Sequence, residues 1–310
     1  MQGMLCAFIT GDFNHKEVTL QPNDYTAIEA SVSSIRLKTY KTLTRNGTIE
    51  ECIGAYLWNK RVGAALFPLM QCLEVSLRNA IHASAARHFG TPDWFDRLTK
   101  LAGNDYYLAF INKKPQLAPD FYRNGLSSGS RKNKKIWLSR HENMLVQAKK
   151  KLKDAGKPLA ADAIIAELML GFWVGLFERN YFQLNSTTRL WPHLESIVFP
   201  NLLPSQRRYG AIYQIFHPVK EIRNRLAHHE PLWKHTSVSS AAAAINRLTE
   251  IINNILMLIR GLSSERADLL YETGLEGIAR KVCCQEMLDA DLSILRNQRA
   301  LHDALNLLHH

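Results

Sequence analysis

The sequence predicts an all-α fold. Apolar residues recur at spacings of three and four along most of the 310 residues, strand-like alternation is almost absent, and Gly and Pro punctuate the periodic segments. Residues 1–24 lack periodicity and read as an irregular arm. From Tyr25 to about Tyr40, the apolar positions Ile28, Val32, Ile35 and Leu37 fit a short helix. Gly47 interrupts, and a long stretch from Ile49 to Phe89 follows, in which Leu66, Leu69, Met70, Leu73, Leu77 and Ile81 form a helical stripe. Pro68 is expected to kink this stretch or start a second helix, because proline lacks an N–H and crowds the preceding turn. Gly90, Thr91 and Pro92 end it.

Residues 113–135 hold Pro115, Pro119, Gly125, Gly129 and several serines, and read as a long loop. A basic helix is expected from about Trp137 to Lys153, broken by Gly156 and Pro158, with helix returning from Asp162 to Arg179. WPHLESIVFP, residues 191–200, is a short segment bounded by prolines, and a helix from about Ser205 leads into residues 221–231. Residues 239–262 are strongly amphipathic through Ile245, Leu248, Ile251, Ile252, Ile255, Leu256 and Leu258, and residues 264–308 continue with helical patterns. GFWVGLF supplies Phe172, Trp173, Leu176 and Phe177 at core spacing.

With 46% hydrophobic residues the chain buries a sizeable core and is excluded from the disordered class. The formal charge of +11 points to a polyanionic or acidic partner. Most of the excess lies between Ile111 and Ala160, which holds thirteen Lys or Arg against three Asp or Glu. The five cysteines, Cys6, Cys52, Cys72, Cys283 and Cys284, include no CxxC pair, so neither a disulfide framework nor a zinc site is indicated. That usage fits a reducing cytoplasm. The N-terminus has no basic residue ahead of its apolar run, which makes it a poor signal peptide, and the apolar stretch 164–177 is too short to span a bilayer.

The densest chemistry is in EIRNRLAHHEP, residues 221–231. Residues four apart lie about 40° from one another around a helix, so Asn224 and His228 share a face with Arg223 on its flank. Pro231 predicts a helix end near His228 or His229. The guanidinium fork suits phosphate oxygens, and imidazole both takes and gives a proton near neutrality. Together they make a minimal kit for cutting RNA without a metal; the spacing alone equally permits a helix cap or a pair with Glu230.

RNRLAHHEP resembles the signature of the Abi-like (abortive infection) proteins, a bacterial branch of the HEPN superfamily, whose mark is Arg, four to six residues, then His. Here that reads Arg223, four residues, His228, with Asn224 at the polar position usual in the family. Residues 55–82, 167–177, the LWP of 190–192 and the FP of 199–200 also resemble Abi-like segments, so the likeness spans about residues 25–235. The resemblance implies a HEPN-type helical bundle with additional helices, no cofactor, and metal-independent endoribonuclease activity in phage defence or as a toxin. Arg223 and His228 would be the catalytic pair, in a composite cleft of a homodimer restrained by an RNA or protein inhibitor. Members that bind RNA without cutting it supply the alternative, a non-catalytic RNA-binding protein or scaffold.

Glu74 and Arg78 stand in the favourable order for an intrahelical ion pair. The functional reading is that they line the cleft and orient Arg223 or His228. His229 supports the pair, since five intervening residues also satisfy the spacing. In the basic run, Lys132, Lys134 and Lys135 around Trp137 read as a solvated surface or as an RNA-tracking patch with one stacking platform. His193, His217 and His235 have no partners at metal-ligand spacing, and no metal is expected. The expected organisation is an arm over 1–24, a helical domain over 25–235 with a basic insert at about 111–160, and C-terminal helices over 236–310 that pack on or extend the bundle.

Overall fold

The computed structural model describes residues 22–96, 98, 126–131, 134–182 and 189–294. Most of the expected N-terminal arm lies outside the described residues. The fold is all-α. Helices α1 (Pro22–Val32) and α2 (Ser34–Lys38) lead through a 3-10 turn to α3 (Ile49–Phe89). After a β-hairpin come α4 (Arg140–Asp154), α5 (Ala161–Glu167), α6 (Leu170–Gly175), α7 (Glu195–Val198) and α8 (Pro204–Arg207). The motif helix α9 (Ala211–Ala227) is followed by α10 (Ala241–Leu262), α11 (Ser264–Glu272) and α12 (Leu275–Val282), and residues 285–294 are again helical.

Three expectations are corrected. The first is Pro68, which does not start a second helix: α3 runs unbroken for 41 residues. The stripe of Leu66, Leu69, Leu73, Leu77 and Ile81 is completely buried on both sides of the proline, whereas Ala64, whose carbonyl the proline leaves without its helical donor, is exposed to solvent. Continuous burial outweighs a local cost of about 3 kcal/mol. Second, residues 126–131 and 134–135 of the loop expected over 113–135, with the start of the helix expected from Trp137, form two antiparallel strands, β1 (Leu126–Arg131) and β2 (Lys134–Ser139), in the register Leu126↔Ser139 to Arg131↔Lys134, while 113–125 and 132–133 lie outside the described residues. The basic helix accordingly begins at Arg140. Third, the helix expected over 162–179 breaks at Leu168 and Met169, both extended. Trp173 Nε1 donates to the Leu168 carbonyl across the break.

The chain forms two compact units. One comprises residues 1–62, 233–248 and 281–310; the other comprises 63–232 and 249–280. In the first, buried Glu51 accepts the N–H groups of Asn46 and Gly47 and so tethers the loop ahead of α3. Trp58 Nε1 donates to the Val282 carbonyl, and Arg61 pairs with Asp291 at 3.1 Å. Gly54 lies so close to the 285–294 helix that a Cβ would stand 2.4 Å from the Asp291 carbonyl oxygen, so a larger residue would force the helices apart. Burial pushes the Asp291 carboxyl above its usual range against the pull of Arg61.

The second unit holds an aromatic core. Phe177 stacks on Phe216 of α9 at 5.1 Å and meets Trp191 at 5.0 Å. His141 of α4 is buried between Phe172 and Tyr181, and its Nε2 donates to the Phe172 carbonyl. Burial lowers its pKa to about 4, so the ring is neutral. By length and composition α10 is long enough to cross a membrane, but it is amphipathic: Ile251, Ile252, Ile255, Leu258 and Ile259 are buried while Asn253 and Arg260 are exposed. Cys52, Cys72, Cys283 and Cys284 are not joined to one another by disulfides.

Candidate active site

The site is built on the C-terminal end of α9. Ile212, Phe216, Val219 and Ile222 bury one face of this helix and so fix its rotation. That leaves Arg223 only part-buried on the flank. The helix ends with two paired hydrogen bonds: His229 N–H donates to the Leu226 carbonyl and Glu230 N–H to the Arg225 carbonyl. This arrangement ordinarily places glycine at the position that must turn left-handed. Here His229 occupies it, at φ 55°. A bulky side chain there is strained by roughly 1 kcal/mol or more, a feature that concentrates at functional sites. Arg225 Nη1 donates to Glu230 Oε2 at 3.1 Å, so Glu230 is held by Arg225.

Arg223 Nε lies 3.8 Å from Glu74 Oε2 of α3, with the two side chains 26% and 24% exposed. Glu74 reaches further. Its Oε1 accepts the Leu170 N–H at 2.9 Å, capping the first turn of α6. One carboxylate thus anchors the start of one helix and the guanidinium of another, with charge favourable to both. The broken α5–α6 segment is what delivers the Leu170 N–H to Glu74. The 3.8 Å separation exceeds a hydrogen bond, which leaves the Arg223 donors available to an incoming anion.

An open cleft of about 1170 Å³ adjoins this pair. It is lined by Glu74, Arg78, Arg223 and His229, with Arg266 of α11 and a largely apolar remainder. The structure therefore brings together four of the residues singled out in the sequence. Glu74 faces Arg223, while Arg78 Nε donates to neighbouring Asn79 at 3.4 Å. Asn224 and His228 are exposed and do not line the cleft. His228 closes α9, with its N–H on the Asn224 carbonyl.

The other candidates lie elsewhere. Lys134, Lys135 and Trp137 are on β2, and Lys132 is outside the described residues. On α4, Lys149 pairs with Asp96 and Lys151 with Glu167, so part of the basic run serves structure. His82 accepts a hydrogen bond from Trp94 Nε1, and burial pushes its pKa down. His193 stacks on His88 and His235 contacts Ser237. Among the described residues no three His, Cys, Asp or Glu side chains come together as a metal-binding group. Phe67 and Arg266 are cleft residues that the sequence did not single out: Phe67 sits within a helical stretch read only for its buried stripe, and Arg266 follows a commonplace Ser cap.

Fold and cleft define the class: an all-α protein with an Arg–His helix end beside a carboxylate-braced cleft. The family model described as Abi-like protein matches residues 22–234, and the chain belongs to that family. The match includes Glu74, Arg78, Arg223, His228 and His229 and stops ahead of α10. No curated protein and no solved structure matches the chain.

Proposed function

We propose that the chain is a metal-independent endoribonuclease of the HEPN type that acts in the cytoplasm, in phage defence or as a toxin. The observation that carries this reading is Arg223, held at the rim of an open cleft by a carboxylate that is itself fixed on a helix N-terminus, with two histidines one turn on. In the reaction a histidine takes the proton of a ribose 2′-hydroxyl. The 2′-oxygen then bonds to phosphorus, the bond to the 5′-oxygen breaks, and that oxygen leaves with a proton from a second imidazole. Arg223 balances the charge growing on the phosphoryl oxygens, and the 2′,3′-cyclic phosphate remains at the 3′ end of the upstream fragment.

His228 has the proton-transfer role by its spacing from Arg223, and His229 supports it from the cleft. Base and acid act on opposite sides of the phosphate, so the active species is a homodimer in which a second motif supplies the other imidazole. Such an enzyme is restrained in healthy cells by an RNA or protein inhibitor. Arg223→Ala and His228→Ala each lower RNA cleavage by at least about 10²-fold while helical content stays unchanged. Mixing the two variants restores part of the activity if each site draws on both chains. Cleavage at wild-type rate in both variants would sink the assignment. The position of His228 away from the cleft favours one rival, an RNA-binding protein that does not cut; it predicts salt-sensitive retention of intact RNA.

A further inference from the structure

Arg266 begins as an accident of local structure. Ser263 caps α11, its Oγ accepting the Arg266 N–H at 3.1 Å, and this fixes the helix start that sets Arg266 at the cleft. The Arg266 Nε is shielded from solvent with no hydrogen-bond partner, and among the described residues its guanidinium has no carboxylate partner. Arg78 donates to its neighbour Asn79, and among the described residues it has no carboxylate partner. Among the cleft-lining residues three are arginines and one, Glu74, is a carboxylate, already facing Arg223. The cleft is therefore short of negative charge, and a side chain as costly to desolvate as Arg266 stays unmatched.

The rest of the lining is of the opposite kind. Phe67 is 54% exposed, and Leu226 and Leu275 continue the apolar wall. A volume of about 1170 Å³ far exceeds the need of one small anion. Three arginines and an exposed aromatic ring in one lining suit a nucleotide with its base turned out of any helix: phosphates take the guanidinium groups and the base takes the ring. A base paired inside a duplex cannot reach Phe67.

We propose that this cleft binds single-stranded RNA, with Arg266 and Arg78 on the phosphate next to the one presented to Arg223 and an unpaired base against Phe67. The identity of the scissile phosphate rests on the ribonuclease reading; the binding site does not. Because Arg266 and Leu275 lie beyond residues 22–234, the C-terminal helices supply part of the substrate site.

The test measures anisotropy of a fluorescein-labelled single-stranded oligouridine across a salt series, using the full chain carrying His228→Ala to prevent turnover. Arg266→Gln in that background weakens binding about ten-fold and lowers the log–log salt slope by about 0.7. Arg266→Lys restores the slope but not the full affinity. Phe67→Ser weakens binding several-fold with the slope unchanged, and the duplex with oligoadenine binds less tightly and ignores Phe67→Ser. Unchanged affinity and slope in Arg266→Gln overturns the proposal, as does equal binding of duplex or preferential binding of phosphatidylserine vesicles. Should Arg266→Gln fail to fold, Arg266→Lys and Phe67→Ser decide by the same criteria. A wild-type chain that binds as described without cutting refutes the nuclease reading and supports this site. Cleavage by the wild type alongside an indifferent Arg266→Gln does the reverse.

Discussion

Replacing His229 with Gly separates what this residue does for the fold from what it does for the site. The residue is exposed, so the substitution removes no buried surface, and its backbone sits at φ 55° at the end of α9. Relief of left-handed strain is worth about 1–2 kcal/mol for a residue bearing a Cβ. Glycine returns about 0.5–1 kcal/mol through the larger entropy of the unfolded chain. The net gain is about 0.5–1 kcal/mol, or about 1–2 °C in melting temperature for a chain of this size. Urea titration of wild type and His229→Gly measures the gain, and a labelled-RNA assay on the same samples measures the loss. Cleavage falls about ten-fold, less than at Arg223 or His228, because His229 supports the chemistry rather than leading it. A variant less stable than wild type would refute the strain argument. One that is more stable and fully active would remove His229 from the site.

Glu74→Gln keeps an acceptor for the Leu170 N–H but loses the charge facing Arg223; cleavage drops about ten-fold with stability within about 1 kcal/mol of wild type, whereas Glu74→Ala also unfolds more easily. His141 has a pKa lowered from 6.5 to about 4 by burial, so the unfolded chain binds a proton across that window and the folded chain does not. Its contribution is complete above about pH 6.5 and declines by about 3 kcal/mol as pH falls to about 4. Glu178, raised by burial, works the other way, so the readout is the difference in pH–stability slope between wild type and His141→Gln, which flattens in the variant. Substituting Lys132, Lys134 and Lys135 with Ser weakens RNA binding and lowers the salt slope by about 2, leaving single-turnover cleavage of bound RNA unchanged; an unaltered slope returns that run to plain solvated surface.

The helical class was legible because the buried stripe of α3 and the amphipathic face of α10 repeat at helical spacing over many turns. The end of α3 was legible too: Gly90 turns left-handed at φ 69° and Thr91 N–H returns to the Ala86 carbonyl. The break before α6 was not, since Ile164, Ile165, Leu168, Phe172 and Trp173 are all buried at spacings compatible with one continuous helix. Beyond the break, the first N–H of α6 is capped by Glu74, 96 residues before Leu170, and no local pattern encodes that contact. The hairpin hid in a Ser- and Lys-rich stretch with little apolar alternation. In the cleft, Arg223, Glu74, Arg78 and His229 could be named from type and spacing. Arg266 could not, because its place depends on a different helix arriving at the same cleft.

The most direct measurement is incubation of a uniformly labelled RNA with the purified chain in excess EDTA, followed by mass spectrometry of the new ends, with Arg223→Ala in parallel. The account predicts 2′,3′-cyclic phosphate and 5′-hydroxyl termini from wild type alone, at a rate the chelator leaves unchanged. Intact RNA from wild type, or 5′-phosphate ends that vanish with EDTA, would contradict it.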